Sequence, residues 1–97
     1  MKRSEWNLHH KKADYIVNKV MCEIIGGYEN TLEDYEEDDK AYIKAKAYLS
    51  RPQEELVEDI YELVMSESDH NIDKHLRFAG SDFIRERIRR KLTEWGY

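Results

Sequence analysis

Apolar side chains recur every three or four positions along most of this chain, which is the period of an α-helix. The clearest run lies between Glu5 and Ile25, and its apolar members are Trp6, Ala13, Ile16, Val17, Val20, Met21, Ile24 and Ile25. Ser4 precedes this run as a candidate N-cap, and Gly26-Gly27 follows it. Because glycine accepts the left-handed conformation that ends many helices, the pattern predicts a first helix that stops at these glycines.

The start of the second helix has two alternatives. Thr31-Leu32-Glu33-Asp34 resembles a capping box, which predicts a start at Thr31. The acidic stretch Glu36–Asp39 interrupts the apolar pattern, which predicts instead an acidic loop and a start near Asp38 or Asp39. Both alternatives end the helix before Ser50.

Ser50-Arg51-Pro52-Gln53 separates the second helix from the third. Proline ends a preceding helix and fits the first turn of the next one, and Ser50 and Gln53 have the spacing of a capping box. The third helix is predicted from Pro52 to about Met65, with an apolar face and an acidic face. The apolar positions are Leu56, Val57, Ile60, Leu63 and Val64.

The last third of the chain predicts one short and one longer helix. Ser66–Asn71 is polar and is predicted to be a loop, and a short helical segment follows over Ile72–Ala79. Gly80 breaks that segment, and Ser81 is a candidate N-cap for a last helix over Asp82–Trp95. No alternating stretch demands a strand.

The predicted fold is therefore all-α, a small helical bundle of three long helices plus one or two shorter helical segments. The chain has 97 residues, which suits a single helical domain spanning 1–97. Only four glycines and one proline are present, and so few helix breakers favour long helices.

Composition places the chain among soluble proteins of a reducing compartment. Its single cysteine, Cys22, excludes an intramolecular disulfide and is expected to be a small, buried or half-buried hydrophobe beside the first apolar stripe. No apolar run is long enough to span a membrane, and the basic N-terminus is not followed by the apolar stretch of a signal peptide. We therefore expect a cytoplasmic protein.

The sequence shows no motif for catalysis and none for a cofactor. It lacks a phosphate-binding glycine loop, a nucleophile elbow and a zinc-protease helix motif. Residues 67–75 mix carboxylates with His70 and His75, and a metal-dependent enzyme built there is the third and weakest hypothesis. His10 and Asp14, four apart, are expected to form an ordinary surface pair. The prediction is a binding protein that is not an enzyme.

Charge is distributed unevenly along the chain and suggests where a partner binds. The net charge is −5, but residues 1–27 sum to +2, residues 28–69 to −10 and residues 70–97 to +3. Carboxylates on a rigid helical surface can imitate the phosphates of a nucleic acid, as small acidic inhibitors of phages and mobile elements do as a class. We therefore predict a regulator or inhibitor that binds a larger basic protein, most concretely one that handles nucleic acid. The candidate residues are Tyr35, Glu36, Glu37, Asp38, Asp39, Glu55, Glu58, Asp59 and Glu62.

Tyrosines accompany the acidic stretch at nearly regular intervals, at Tyr28, Tyr35, Tyr42 and Tyr48. Their rings either line the edge of the core or belong to a protein interface, where tyrosine is enriched. A second copy of the chain could complete such a surface, so a homodimer remains an alternative.

The alternative function uses the last helix. A basic helix can contact phosphates, so this helix is a candidate nucleic-acid-binding surface, although the same residues could also neutralise the acidic middle of the chain. The residues concerned are Arg85, Arg87, Arg89, Arg90 and Lys91.

Overall fold

The computed structural model describes residues 2–67 and 70–97, and of residues 70–72 it describes the backbone alone. In those ranges the chain forms helices and no strand, which confirms the all-α prediction. The helices are α1 (Arg3–Asp34), α2 (Lys40–Leu49), α3 (Gln53–Ser66), α4 (His70–Ala79) and α5 (Ser81–Glu94). The predicted loop Ser66–Asn71 lies partly outside the described residues, and its last two positions belong to α4.

One helix is far longer than the others, so the predicted set of three long helices is not confirmed. α1 has 32 residues, α3 and α5 have 14 each, and α2 and α4 have 10 each. At a rise of 1.5 Å per residue, α1 is about 48 Å long. It accounts for most of the 54 Å long axis of the molecule.

α1 continues through the two glycines that were expected to end it. Apolar residues keep the helical spacing across the two glycines, since Ile24 before them and Tyr28 and Leu32 after them pack against the core at intervals of four. Each glycine costs a helix about 1 kcal/mol relative to alanine. Packing of this continued stripe against α2 outweighs that cost, because tertiary burial supplies most of the stability of a helix. Gly26-Gly27 is therefore not a stop.

The acidic loop separates α1 from α2. Tyr35 is extended, with φ −115° and ψ 153°, and it ends α1 after acidic residues that disfavour a helix C-terminus. The side chain of Asp39 accepts a hydrogen bond from the backbone N–H of Ala41 at 2.8 Å and caps α2. The start near Asp39 is confirmed, and the start at Thr31 was wrong, because the Thr31 hydroxyl donates to the Gly27 carbonyl within α1.

Three other predicted caps were wrong. The N-cap of α1 is Lys2, not Ser4, and the N-cap of α5 is Gly80 with φ 87°, one residue before Ser81. The hydroxyl of Ser50 donates to the Lys46 carbonyl of α2 and makes no capping box with Gln53. Helix ends fray and their last turns vary in conformation, so the sequence located these boundaries only to within one or two residues.

α1 is the central element of the core and packs against all four other helices, while α3 and α5 pack against each other. Lys19, in the middle of α1, approaches Glu67 at the end of α3. Glu29, nearer the end of α1, is linked to the start of α3 through Tyr97. The Tyr97 hydroxyl donates a hydrogen bond to Glu29, and the Tyr97 carbonyl accepts one from Gln53. α3 therefore runs antiparallel to α1. The buried apolar residues are Ala13, Ile16, Val17, Val20, Met21, Ile25, Ala45, Leu49, Leu56, Val57, Ile60, Val64, Leu76, Ile84, Ile88 and Leu92.

Cys22 lies outside this core. It is exposed, which corrects the expectation of a buried or half-buried position, and it lines a shallow groove with Gly26 and Trp95. Its neighbour Met21 occupies the buried face of α1 instead. In the described ranges, no helix combines the length and the apolar character that crossing a membrane requires.

Candidate protein interface

The structure divides the predicted protein-binding residues between two regions. The first is the acidic tip, which we define as residues 33–39 at the end of the α1–α2 hairpin, and all seven of its side chains are exposed. The second is the outer face of α3, which carries Glu55, Glu58, Asp59 and Glu62. Since α3 starts level with Glu29 and runs back along α1, its carboxylates lie away from the tip.

The acidic tip concentrates negative charge without internal compensation. Six of its seven residues are Asp or Glu. Among the described residues, no Lys, Arg or His lies within ion-pair distance of any of these carboxylates, although α2 carries Lys40, Lys44 and Lys46 close by. Neighbouring like charges repel each other, so the tip is a surface that a cationic partner would stabilise.

Apolar surface lies next to the tip. Tyr35 is 50% exposed, and Ile43 on the outer side of α2 is 55% exposed. A groove of about 240 Å³ follows this side of α2 and is lined by Glu37, Tyr42, Ile43, Lys46, Ala47 and Ser50. Sequence analysis missed this face. The available signal was that Ile43 and Ala47 are four apart and cannot share the buried face of Ala45 and Leu49.

The tyrosines of the acidic stretch fall into two pairs, one that packs against the core and one that lies at the surface. Tyr28 and Tyr48 stack with ring centroids 4.5 Å apart and pack against the core. Tyr35 projects from the tip and Tyr42 lines the groove. Lys46 lies 5.9 Å from the centroid of the Tyr42 ring, so this ring is partly covered by a cation.

The α3 carboxylates have arginine partners within the chain. Arg85 of α5 binds Glu58 at 2.9 Å, and Arg89 of α5 binds Glu54 through two hydrogen bonds of 2.8 and 3.0 Å. Arg51 binds Asp59. The hydrogen bonds that Arg89 donates lower the pKa of Glu54, and the hydrogen bond that Arg51 donates to Asp59 raises the pKa of Arg51. Of the predicted residues on α3, Glu58 and Asp59 are thus already neutralised.

The remaining two carboxylates of that set differ from each other. Glu55 approaches Arg51 only at 4.0 Å, and Glu62 is exposed and has no ion-pair partner among the described residues. The negative charge of α3 is therefore neutralised most where α5 packs against this helix.

The basic face of α5 is largely used inside the molecule. Arg87 binds Asp14 of α1 through two hydrogen bonds of 3.0 and 2.9 Å, so Asp14 does not pair with His10 as expected. The His10 ring instead approaches the carbonyl of Trp6 at 2.9 Å. Lys91 lies 4.0 Å from Glu94, and Arg90 is exposed without an ion-pair partner in the described ranges. Three of the five residues proposed to bind nucleic acid are therefore held by carboxylates of α1 and α3.

The segment 67–75 does not gather metal ligands in the described part of the chain, where no three His, Cys, Asp or Glu side chains form a group that could hold a metal. Asp69 and the side chain of His70 lie outside the described residues. His75 faces α1 instead, with its Nδ1 2.8 Å from the Nδ1 of His9. Sequence analysis did not single out His9, because the two histidines are 66 positions apart and no local pattern links them.

No protein-family model, no curated protein and no solved structure matches this chain.

Proposed function

We propose that this protein binds another protein through its acidic tip and the adjoining groove on α2, and that it regulates or inhibits that partner without catalysing a reaction. The observation that supports the proposal is the contrast in charge pairing. Glu54 and Glu58 on α3 have arginine partners on α5, whereas the carboxylates of the tip have no such partner among the described residues. A cationic partner would relieve the repulsion at the tip, so binding there is favoured by electrostatics.

The proposed partner combines a basic surface with an apolar contact. Its cations would face the carboxylates of Glu36 and Glu37, and an apolar side chain would contact Tyr35 and Ile43, which are about half exposed. The most concrete form is a nucleic-acid-handling protein whose phosphate-binding groove takes up the tip. Aromatic residues at the centre of an interface contribute much of its binding energy, which gives Tyr35 a role beyond charge.

A photo-crosslinking amino acid placed at position 35 tests where the partner binds. Position 15 is the matched control, because Tyr15 is 67% exposed and lies on α1 away from the tip. We expect a cross-linked partner from position 35 in extract of the cell that makes the protein, and none from position 15. Cross-linking of the same partner from position 15 alone would contradict the proposal.

Charge reversal then tests the mechanism with the purified partner. In the variant Glu36→Lys/Glu37→Lys we expect affinity at about 50 mM salt to fall by at least about tenfold, because complementary charge is replaced by like charge. The control Glu5→Lys/Glu23→Lys makes the same charge change at exposed positions on α1 and is expected to bind as the wild type does. Equal losses of affinity in both variants would show that only the net charge of the protein matters, and they would exclude a binding site at the tip.

Titration into labelled duplex DNA and single-stranded RNA separates this proposal from the alternative on α5. Binding that is tight at about 50 mM salt and weak at about 200 mM would indicate phosphate contacts. If Arg90→Gln then reduced that binding, the basic helix would replace the acidic tip as the functional surface.

A further inference from the structure

The hydrogen-bonded contact between His9 and His75 joins α1 to α4. His9 is only 7% exposed and is the one buried polar residue in the described part of the chain. Its Nδ1 lies 2.8 Å from the Nδ1 of His75, and its ring stacks on Phe78 of α4 with centroids 4.3 Å apart and planes 8° apart. The imidazole pair is therefore part of the packing between the two helices.

A contact between two Nδ1 atoms requires a single proton between them. One ring carries that proton on Nδ1 and donates it, and the other ring accepts it. The pair can take up one further proton on the Nε2 of the donor ring, which leaves the hydrogen bond intact. A second further proton must bind the accepting Nδ1, and it then places two N–H groups and two positive charges face to face.

We propose that the His9–His75 pair is an acid-sensitive latch, which holds α4 on α1 while the pair carries at most one positive charge and releases α4 when both rings are protonated. α4 is suited to such release because it has ten residues, and Leu76 is its one fully buried side chain among those described.

The surroundings of the pair oppose the second protonation. Burial is the main cause that lowers the pKa of His75 below its usual 6.5, and the positive charges of His9, Lys12 and Lys74 lower it further. Because the folded state takes up this proton less readily than the unfolded chain does, stability is fully present above about pH 6.5 and falls as the pH drops below that value.

The other charged groups near the pair act less strongly. The carboxylate of Glu5 lines the same cleft between α1 and α4 and favours protonation. On α5, Arg87 reaches α1 at Asp14, and its charge is taken up by that carboxylate. The positive groups of α1 and α4 therefore dominate around His75.

Amide hydrogen exchange, corrected for intrinsic rates and measured at pH 7 and pH 5, tests the latch. If a histidine binds a proton with its ordinary pKa only when α4 has opened, the equilibrium constant for opening of α4 rises by up to about 25-fold between pH 7 and pH 5. We expect such a rise in residues 73–79 of α4, and a much smaller one in residues 57–64 of α3. An equal rise in both segments would mean that the whole fold opens, and it would overturn the proposal, as would no rise in α4.

Two variants identify the groups responsible. His75→Gln keeps a hydrogen-bonding side chain that cannot be protonated, and we expect it to abolish the extra opening of α4 at pH 5. His10→Gln is the matched control, since His10 lies next to His9 and outside the pair, and it is expected to open as the wild type does. A pH response that survives in His75→Gln would exclude this pair as its origin.

A titration of the histidine ring signals by NMR needs no variant. In the wild-type protein we expect the pair to bind one proton while the NMR signals of α4 stay unchanged. We expect the pair to bind the second proton only at pH values where the α4 signals also change. Two protonations at ordinary pKa values with α4 intact would overturn the latch even if His75→Gln failed to fold.

Discussion

At the scale of single residues, Tyr48 combines favourable packing with an unfavourable polar group. Its ring stacks on Tyr28 and lies 5.7 Å from the guanidinium of Arg51. Its hydroxyl, however, is the one buried side-chain oxygen of the described residues that has no hydrogen-bond partner. Burial, and then the charge of Asp59, raises the pKa of this hydroxyl. A hydroxyl that is desolvated without a partner destabilises the fold.

Tyr48→Phe is therefore expected to leave the free energy of unfolding unchanged or to raise it by up to about 1 kcal/mol, as measured by urea denaturation. Tyr97→Phe is the control, because the Tyr97 hydroxyl donates to Glu29 at 2.7 Å and its loss is expected to destabilise the protein slightly. A loss of more than about 1 kcal/mol in Tyr48→Phe would show that its hydroxyl makes a favourable interaction.

The ion pair between Glu54 and Arg89 predicts a pH dependence in acid. The hydrogen bonds from Arg89 lower the pKa of Glu54 below its ordinary 4.5, so stability from this pair is present above pH 4.5 and is lost as the pH falls through the lowered value. Glu54→Gln should consequently be less stable than the wild type at pH 7, and this difference should shrink as the pH falls below 4.5.

Urea denaturation across this pH range measures that difference. Glu62→Gln is the matched control, since Glu62 is exposed on the same helix and has no ion-pair partner among the described residues. If the free energy of unfolding of Glu54→Gln differed from that of the wild type by the same amount at every pH, the ion-pair explanation would be contradicted.

At the scale of helices, the unusual feature is a 32-residue helix that contains two adjacent glycines. A Cβ added at Gly26 or Gly27 would meet no atom within 4 Å, so alanine fits both positions. Neither glycine has a positive φ, which leaves glycine no conformational advantage there. Gly80 differs, because its φ of 87° at the α4–α5 junction is one that side chains with a Cβ rarely adopt.

Gly26→Ala and Gly27→Ala are each expected to raise the free energy of unfolding by about 0.5–1 kcal/mol, because alanine loses less backbone entropy in a helix. Gly80→Ala is the contrasting control and is expected to destabilise the protein. Thermal unfolding followed by circular dichroism measures all three. Destabilisation by Gly26→Ala or Gly27→Ala would mean that α1 breaks where the sequence suggested.

At the scale of the whole molecule, the long α1 makes the protein elongated. Its extents are 54 × 23 × 17 Å, and its Cα radius of gyration is 15.1 Å. A compact domain of this length has a radius of gyration of about 12.5 Å. The difference reflects the α1–α2 hairpin, which places the acidic tip at one end of the molecule, where its side chains are exposed.

Small-angle X-ray scattering of the monomer is therefore expected to give a radius of gyration close to 15 Å. The forward scattering gives the mass in the same measurement and serves as the control, because a homodimer would double it. A monomer with a radius of gyration near about 12.5 Å would contradict the extended hairpin.

The candidate site was predictable only in part. Exposure of Glu36–Asp39 follows from a run of charged residues that no core can accommodate, so the sequence located the acidic loop correctly. The division of the predicted acidic surface into a free tip and a compensated α3 did not follow from sequence. It depends on α5 packing beside α3, which places Arg85 next to Glu58 although 27 positions separate them.

The sequence by itself determined the helical class, the acidic start of α2 and the limits of α3, because helical spacing, proline and local capping act within a few residues. Only the tertiary structure decided that α1 continues through Gly26-Gly27, that the arginines of α5 bind α1 and α3, and that His9 meets His75. The physical reason is that burial of apolar surface between distant segments contributes several kcal/mol, whereas the local preferences that it overrides are worth about 1 kcal/mol each.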